Sequence, residues 1–314
     1  MSKMPRKHHF VPVFYLAGFT LKGRDGRIFV HDRTQKKQWP STPSGAGYTK
    51  DFYAIEGMAN LGPDAVEVRL ARMESKCSDA LRRIIEAQAI PADADFGELM
   101  TFVAMMAARG PRFRAVVADF MDQVSKKELR AALATPELYE QFKATLRAAR
   151  PDLSAAEQQV LDDYEGLKAF ADGDRYNVGT DRTGLVQSFL HGFINLMPEL
   201  AKRQWAIWSP AEGAPDFVCS DSPVCLTWND DNYGVWPPGF ALRHTTVSIP
   251  LNRRLMLVGT FEPLDEKRFL TRDEVAIMNF RTLLYAKQAY CAEKDFVWKR
   301  VDGQLGGSAE FIAE

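Results

Sequence analysis

The sequence predicts an α+β fold, with a mixed sheet built from the two ends of the chain and a central helical block packed on it. Three observations lead there. Runs of β-forming residues bounded by turn residues occupy residues 1–60 and return over residues 204–314. Between them, residues 63–203 place apolar side chains at helical spacing. No segment of roughly 20–50 residues recurs, which excludes a repeat solenoid. At 314 residues the chain reads as one domain in these three segments, in preference to two independent ones.

In the first segment, Gly23 to Gly26 is a turn, and Arg27-Ile28-Phe29-Val30-His31-Asp32 is a short β-forming run. A polar turn, Thr34-Gln35-Lys36-Lys37, leads into Gln38-Trp39-Pro40, so the two runs predict a hairpin. Pro40 cannot donate to a ladder and marks an edge or an end. Asp51 to Ile55 is a further strand candidate.

In the second segment, Val66, Leu70, Met73, Cys77, Leu81 and Ile84 form one apolar helix face. Phe96 to Phe120 continues the helical pattern, broken at Gly110-Pro111, where proline ends or kinks the helix. Thr135-Pro136 supplies an N-cap followed by proline at the first helical position. Ser154 and Glu157 make a capping box, and Thr180 or Asp181 opens a last helix toward Leu200.

In the third segment, strands are expected at Gln204–Trp208, Asp216–Ser220, Thr245–Ile249 and Leu255–Val258. The box Thr271 to Glu274 starts one inserted helix that ends near Lys287. Ala289–Ala292 and Phe296–Trp298 close the set.

Composition narrows the function classes. With 46% hydrophobic and 26% charged residues the chain resembles an ordinary folded protein and neither a disordered chain nor a disulfide scaffold. Forty basic against 41 acidic side chains leave a net charge of -1, which argues against a surface coated in basic charge for non-specific nucleic-acid binding. Cys77, Cys219, Cys225 and Cys291 form no C-x-x-C pair and read as free thiols in a reducing compartment. The opening MSKMPRKHHF is basic with no apolar stretch behind it, so it does not read as a signal peptide. No apolar run reaches the roughly 18 residues of a membrane span, and the expectation is a cytoplasmic protein.

Charge is uneven along the chain. Residues 1–40 carry nine basic and two acidic side chains, while residues 210–241 carry five acidic and no basic ones. Either the two segments attract and help the chain ends meet, or a basic rim grips a polyanion beside an acidic pocket.

Several polar groups are candidates for chemistry. His8 and His9 are adjacent, so on an extended chain only one can face a given site. Imidazole suits proton transfer or metal ligation because it titrates near neutrality. Ser220-Asp221-Ser222-Pro223 puts a carboxylate directly after an apolar strand, where it could hold a divalent metal with His9 or orient a histidine, or simply end the strand in an Asx-turn. Ser220 sits in no G-x-S-x-G elbow, which weakens it as a nucleophile. Arg109 and Arg112 flank the Gly-Pro break; a guanidinium fork there binds phosphate or carboxylate, or forms a buried ion pair, with Glu74 as the partner in view. Tyr15, Asp51 and Tyr53 are supporting candidates. Asp230-Asp231-Asn232 lacks the spacing of a calcium loop and reads as a solvated acidic loop. No P-loop, G-x-G-x-x-G or H-E-x-x-H is present, so nucleotide motors, dinucleotide enzymes and zincin proteases lose their support.

The order of these motifs resembles DUF4238, an uncharacterised and mainly bacterial family. Lys7 to Phe19, with His8-His9-Phe10-Val11-Pro12 and Phe14-Tyr15-Leu16, is similar to its opening signature. Arg27–Asp32 and Asp51-Phe52-Tyr53 resemble its next motifs, and Phe102 to Arg112 its arginine-bearing helix. Phe217 to Val224 resembles its Ser-Asp-x-Pro strand end, with Cys219 where threonine is common. Ile249-Pro250-Leu251 resembles its Phe-Pro-Leu segment, and Met278-Asn279 its C-terminal stretch. The resemblance implies positions and no reaction.

Two readings follow. In the first, the protein is a hydrolase of a phosphate-bearing substrate, of nuclease or phosphodiesterase type. His8, His9 and Asp221 are its catalytic candidates, Arg109, Arg112, Tyr15 and Ser220 its substrate contacts, and a divalent metal on His9 and Asp221 an open option. In the second, it is a non-catalytic module that binds nucleic acid or a protein partner, and the same residues are structural pins.

Overall fold

The computed structural model describes residues 7–50, 65–179, 182–229 and 237–314. The strand candidate at Asp51–Ile55, the residues Asp51 and Tyr53, the helix cap at Thr180 or Asp181 and the Asp230–Asn232 loop lie outside them.

The chain opens with β1 (Lys7–His9), the one-turn helix α1 (Val13–Leu16), the hairpin β2 (Ile28–Asp32) and β3 (Lys37–Ser41), and β4 (Tyr48–Lys50). Seven helices follow: α2 (Ala65–Ala87), α3 (Ala94–Arg109), α4 (Pro111–Ala132), α5 (Pro136–Ala149), α6 (Ala155–Asp162), α7 (Tyr164–Gly173) and α8 (Arg182–Ala201). Then come β5 (Gln204–Pro210), β6 (Cys219–Ser220), β7 (Cys225–Trp228), β8 (Thr245–Asn252), β9 (Leu255–Thr260) and β10 (Lys267–Leu270). The helix α9 (Arg272–Leu283), β11 (Gln288–Cys291), β12 (Trp298–Lys299), β13 (Leu305–Gly306) and α10 (Ser308–Ala313) complete the chain.

The local signals act as their chemistry dictates. Gly110-Pro111 separates α3 from α4. The Thr135 side chain accepts the Leu138 amide, and both capping boxes form, at Ser154/Glu157 and Thr271/Glu274. Pro40 sits on β3, an edge strand.

The class is α+β, but the expected single mixed sheet is divided between two larger sheets. The chain ends do share one: β3-β2-β11-β6 joins the first hairpin to two C-terminal strands, and every pairing in it is antiparallel. The mixed sheet is the other, β10-β5-β9-β8-β7, drawn from the C-terminal segment with β10 parallel to β5. Alternation explains the division. Val247, Ile249 and Leu257 on one face of the five-stranded sheet join the main core with Val103 and Met106 of α3, whereas Met256 and Val258 on the other face pack with Val275 and Met278 of α9. A sheet covered on both faces needs near-continuous apolar strands, and every residue of β9 is buried.

The described residues group into two compact units, residues 1–114 with 186–314, and residues 115–185. The first holds both sheets together with α2, α3 and α9. The second is helical and has its own small core around Leu133, Tyr139 and Ala171. The helical block is thus divided, with the boundaries falling inside α4 and α8.

The basic N-terminal segment meets the C-terminal helix. Arg33 pairs with Glu314 and stacks on Phe311, and the Lys36 ammonium donates to the Ala313 carbonyl. Asp216, in the acidic stretch, is neutralised locally by Arg253 and Arg254. Among the described residues no helix is long and apolar enough to cross a membrane.

Candidate functional site

The candidate residues fall into two places. The first is a polar cleft of about 390 Å³ lined by His9, Val13, Phe14, Arg24, Ala71, Glu74, Ser75, Ser78, Asp79 and Arg109. β1 pairs with β4, His9 opposite Tyr48, and strand geometry sends the adjacent histidines to opposite sides. His8 is buried, while His9 is half-buried and faces the cleft. The His9 ring lies 5.6 Å from the Tyr48 ring, and its Nε2 is 3.3 Å from the Ser44 carbonyl. Donation from Nε2 to that carbonyl leaves the imidazole lone pair on Nδ1.

Arg109 is the last residue of α3, and its side chain is only 1% exposed. Its Nη1 donates to Glu74 Oε1 on α2 and lies 3.9 Å from Met105 Sδ. Its charge is therefore committed to a carboxylate, which makes Arg109 a positioning group for Glu74. Arg24, in the turn after α1, is exposed and is the guanidinium on the rim of this cleft that a ligand can reach.

The second place is the end of β6. Ser220 is fully buried; its hydroxyl donates to the Thr282 carbonyl and accepts the Ser222 amide. Asp221 is buried too, and its carboxylate accepts the Lys287 amide at 3.1 Å while its own amide donates to the Gln288 carbonyl. Burial pushes the Asp221 carboxyl up to about 6 despite these amide donors. Asp221 is not among the residues lining the His9 cleft.

The motif segments interlock here. Gly110 lies so close that a Cβ built on it would stand 3.1 Å from the Asp221 carbonyl. Tyr15 donates to the Pro250 carbonyl and sits beside Cys219; burial drives its phenol far above the usual range. Asn279 accepts the Val218 amide and donates to the Asp216 and Val297 carbonyls, tying α9 to the strand that ends in Ser220-Asp221. Tyr15→Phe should lower the unfolding free energy by roughly 1–2 kcal/mol, because the buried Pro250 carbonyl loses its donor. Urea denaturation at neutral pH measures it, and an unchanged midpoint would show the bond to be dispensable.

Arg112 does not line the His9 cleft. Its guanidinium lies 3.1 Å from the centroid of the Tyr285 ring, and burial lowers its pKa. Sequence reasoning missed Arg24, Ser78 and Asp79, which gain significance only when α2 folds against the N-terminal turns. For the metal option, no group of three or more His, Cys, Asp and Glu side chains converges among the described residues.

A family described as "Protein of unknown function (DUF4238)" matches residues 7–295 of the 314. The chain belongs to the DUF4238 family. Searches of the curated proteins and of the solved structures gave no match. The matched span runs from β1 to just past β11, so it takes in both the His9 cleft and the Ser220-Asp221 strand end of this DUF4238 chain.

Proposed function

We propose that the His9 cleft is the working site and that the protein hydrolyses a phosphate-bearing substrate, of the phosphodiester class found in nucleic acid. The observation that carries this reading is the convergence of His9 with the Arg109–Glu74 pair in one polar cleft, from three separate segments of the chain. His9 takes a proton from attacking water through Nδ1 while its other nitrogen is held by the Ser44 carbonyl. Arg24 meets the phosphate, and Arg109 holds Glu74 in place. Asp221, assigned to the site on sequence grounds, here supports the strand end. Four buried free cysteines favour a reducing compartment, and we assign the protein to the cytoplasm.

A second reading, a binding module without chemistry, is favoured by the use of Tyr15, Ser220 and Asp221 as backbone pins. Hydrolysis of bis(p-nitrophenyl) phosphate and of a single-stranded oligonucleotide separates the two. On the hydrolase reading, His9→Gln lowers the rate by about 100-fold or more at an unchanged melting temperature. A wild-type protein that binds the oligonucleotide without cleaving it, or a variant with full activity, would overturn this reading.

A further inference from the structure

We propose that the pocket between α9 and the outer face of β7, β8 and β9 is a second ligand site, one that takes a phosphate group. This pocket, also about 390 Å³, shares no lining residue with the His9 cleft. One wall is a face of α9, with Glu274, Ile277, Met278 and Arg281 recurring at helical spacing. The opposite wall is a sheet face carrying Thr246, Val258 and Thr260.

Arg281 in the lining of this pocket, and a hydroxyl beside it, lack among the described residues a partner that an oxyanion would provide. The first feature is charge. Glu274 is neutralised by Arg268, and Glu262 accepts from the His244 amide, the Thr260 hydroxyl and Asn229. Arg281, by contrast, has no carboxylate partner among the described residues; its guanidinium lies 3.9 Å from Met278 Sδ. Arg112 has none either and rests on the Tyr285 ring, just past the end of α9. Both guanidinium groups act on the same side chain, Cys225 at the start of β7, whose burial pushes its thiol up to about 11 against their pull. Two half-buried guanidinium groups with no carboxylate partner among the described residues favour an anion beside them.

The second feature is a hydroxyl. Thr227 pairs across the ladder with Thr246, so both side chains stand on the pocket face, two residues along from Cys225. Its Oγ1 is buried with no hydrogen-bond partner among the described residues. A hydroxyl and a guanidinium fork are donors, and a group with several acceptor oxygens and negative charge satisfies both. An apolar group would leave the hydroxyl orphaned. Trp208, Leu264 and Ile277 supply an apolar wall on which the organic part of a phosphate ester can lie. Free phosphate and a phosphate ester share the chemistry that the pocket recognises.

Calorimetric titration in chloride buffer at fixed ionic strength, with inorganic phosphate in one arm and phenyl phosphate in the other, tests the site. Saturable binding in either arm is expected, tighter for phenyl phosphate if the apolar wall is used. Arg281→Gln should weaken it about tenfold or more, and Thr227→Val severalfold. Thr227→Val is nearly isosteric, so it carries the test if Arg281→Gln fails to fold. Arg24→Gln, which removes the phosphate contact of the His9 cleft, should bind like the wild type, and this separates the site from the hydrolase reading. No saturable binding in either arm, or wild-type affinity in Thr227→Val together with any folded Arg281→Gln protein, would overturn the proposal.

Discussion

Glu74→Ala lowers the unfolding free energy by about 3 kcal/mol, because it removes the carboxylate of a buried pair while its guanidinium stays inside. The Arg109 side chain is 1% exposed and that of Glu74 24%, so water reaches the acid far more easily than the base. A lost carboxylate therefore leaves the more deeply buried charge behind. The variant Glu74→Gln keeps a hydrogen-bond acceptor and should lose about 1 kcal/mol less. Replacing both partners, with Arg109→Met and Glu74→Leu, removes the charges together and should recover most of the loss. Urea unfolding of the two single variants and the double variant forms the cycle. If Glu74→Ala costs below about 1 kcal/mol, the pair contributes no more than an exposed surface bridge does.

Asp221→Asn makes the protein more stable at pH 7 to 8, by about 3 kcal/mol, and the gain disappears in acid. The carboxyl titrates at about 6 in the fold, pushed up by burial, and near 3.9 in the unfolded chain. As pH rises from about 4 to about 6, the unfolded chain gives up its proton first, so this residue subtracts stability over that window. Below pH 4 both states hold the proton and the penalty is absent. Above pH 6 both are ionised and the penalty is constant, near two pH units of free energy or about 3 kcal/mol. Asparagine keeps an oxygen to accept the Lys287 amide and carries no charge to bury. Thermal or urea unfolding of both proteins at pH 4, 5, 6 and 7.5 measures the divergence. Equal stability at every pH would mean that Asp221 is hydrated or paired in solution. The result also bears on function, since a carboxylate kept at a cost to stability is a candidate for a role that the fold alone does not require.

The sequence carried the elements and their order. Apolar spacing from Leu70 to Ile84, the Gly110-Pro111 break, the Ser154 and Thr271 boxes and the hairpin around Lys36 are all local, and each sets its own helix or strand whatever packs on it. The shorter elements β7 and β10 lacked such signals: Cys225–Trp228 is too short to show a period, and Lys267–Leu270 is an edge strand with three exposed residues.

The sites were legible only as lists of residue types. Sequence alone marked His9, Arg109 and Asp221 as groups worth locating, together with a possible Arg109–Glu74 pair. It could not tell that His9 and Arg109 share a cleft while Asp221 lines the end of β6. Partnership between residues 35 or 66 positions apart depends on sheet register and helix packing, which no short window encodes. Burial decides the chemistry in the same way. An aspartate reads the same in sequence whether solvated or enclosed, and only the surrounding core raises its pKa. The sequence by itself determined the order of the longer helices and strands and the caps and breaks between them, because those signals act over a few residues; the tertiary structure decided which charged groups meet and which are left without a partner, because Coulomb energy and desolvation depend on distances that only the folded chain defines.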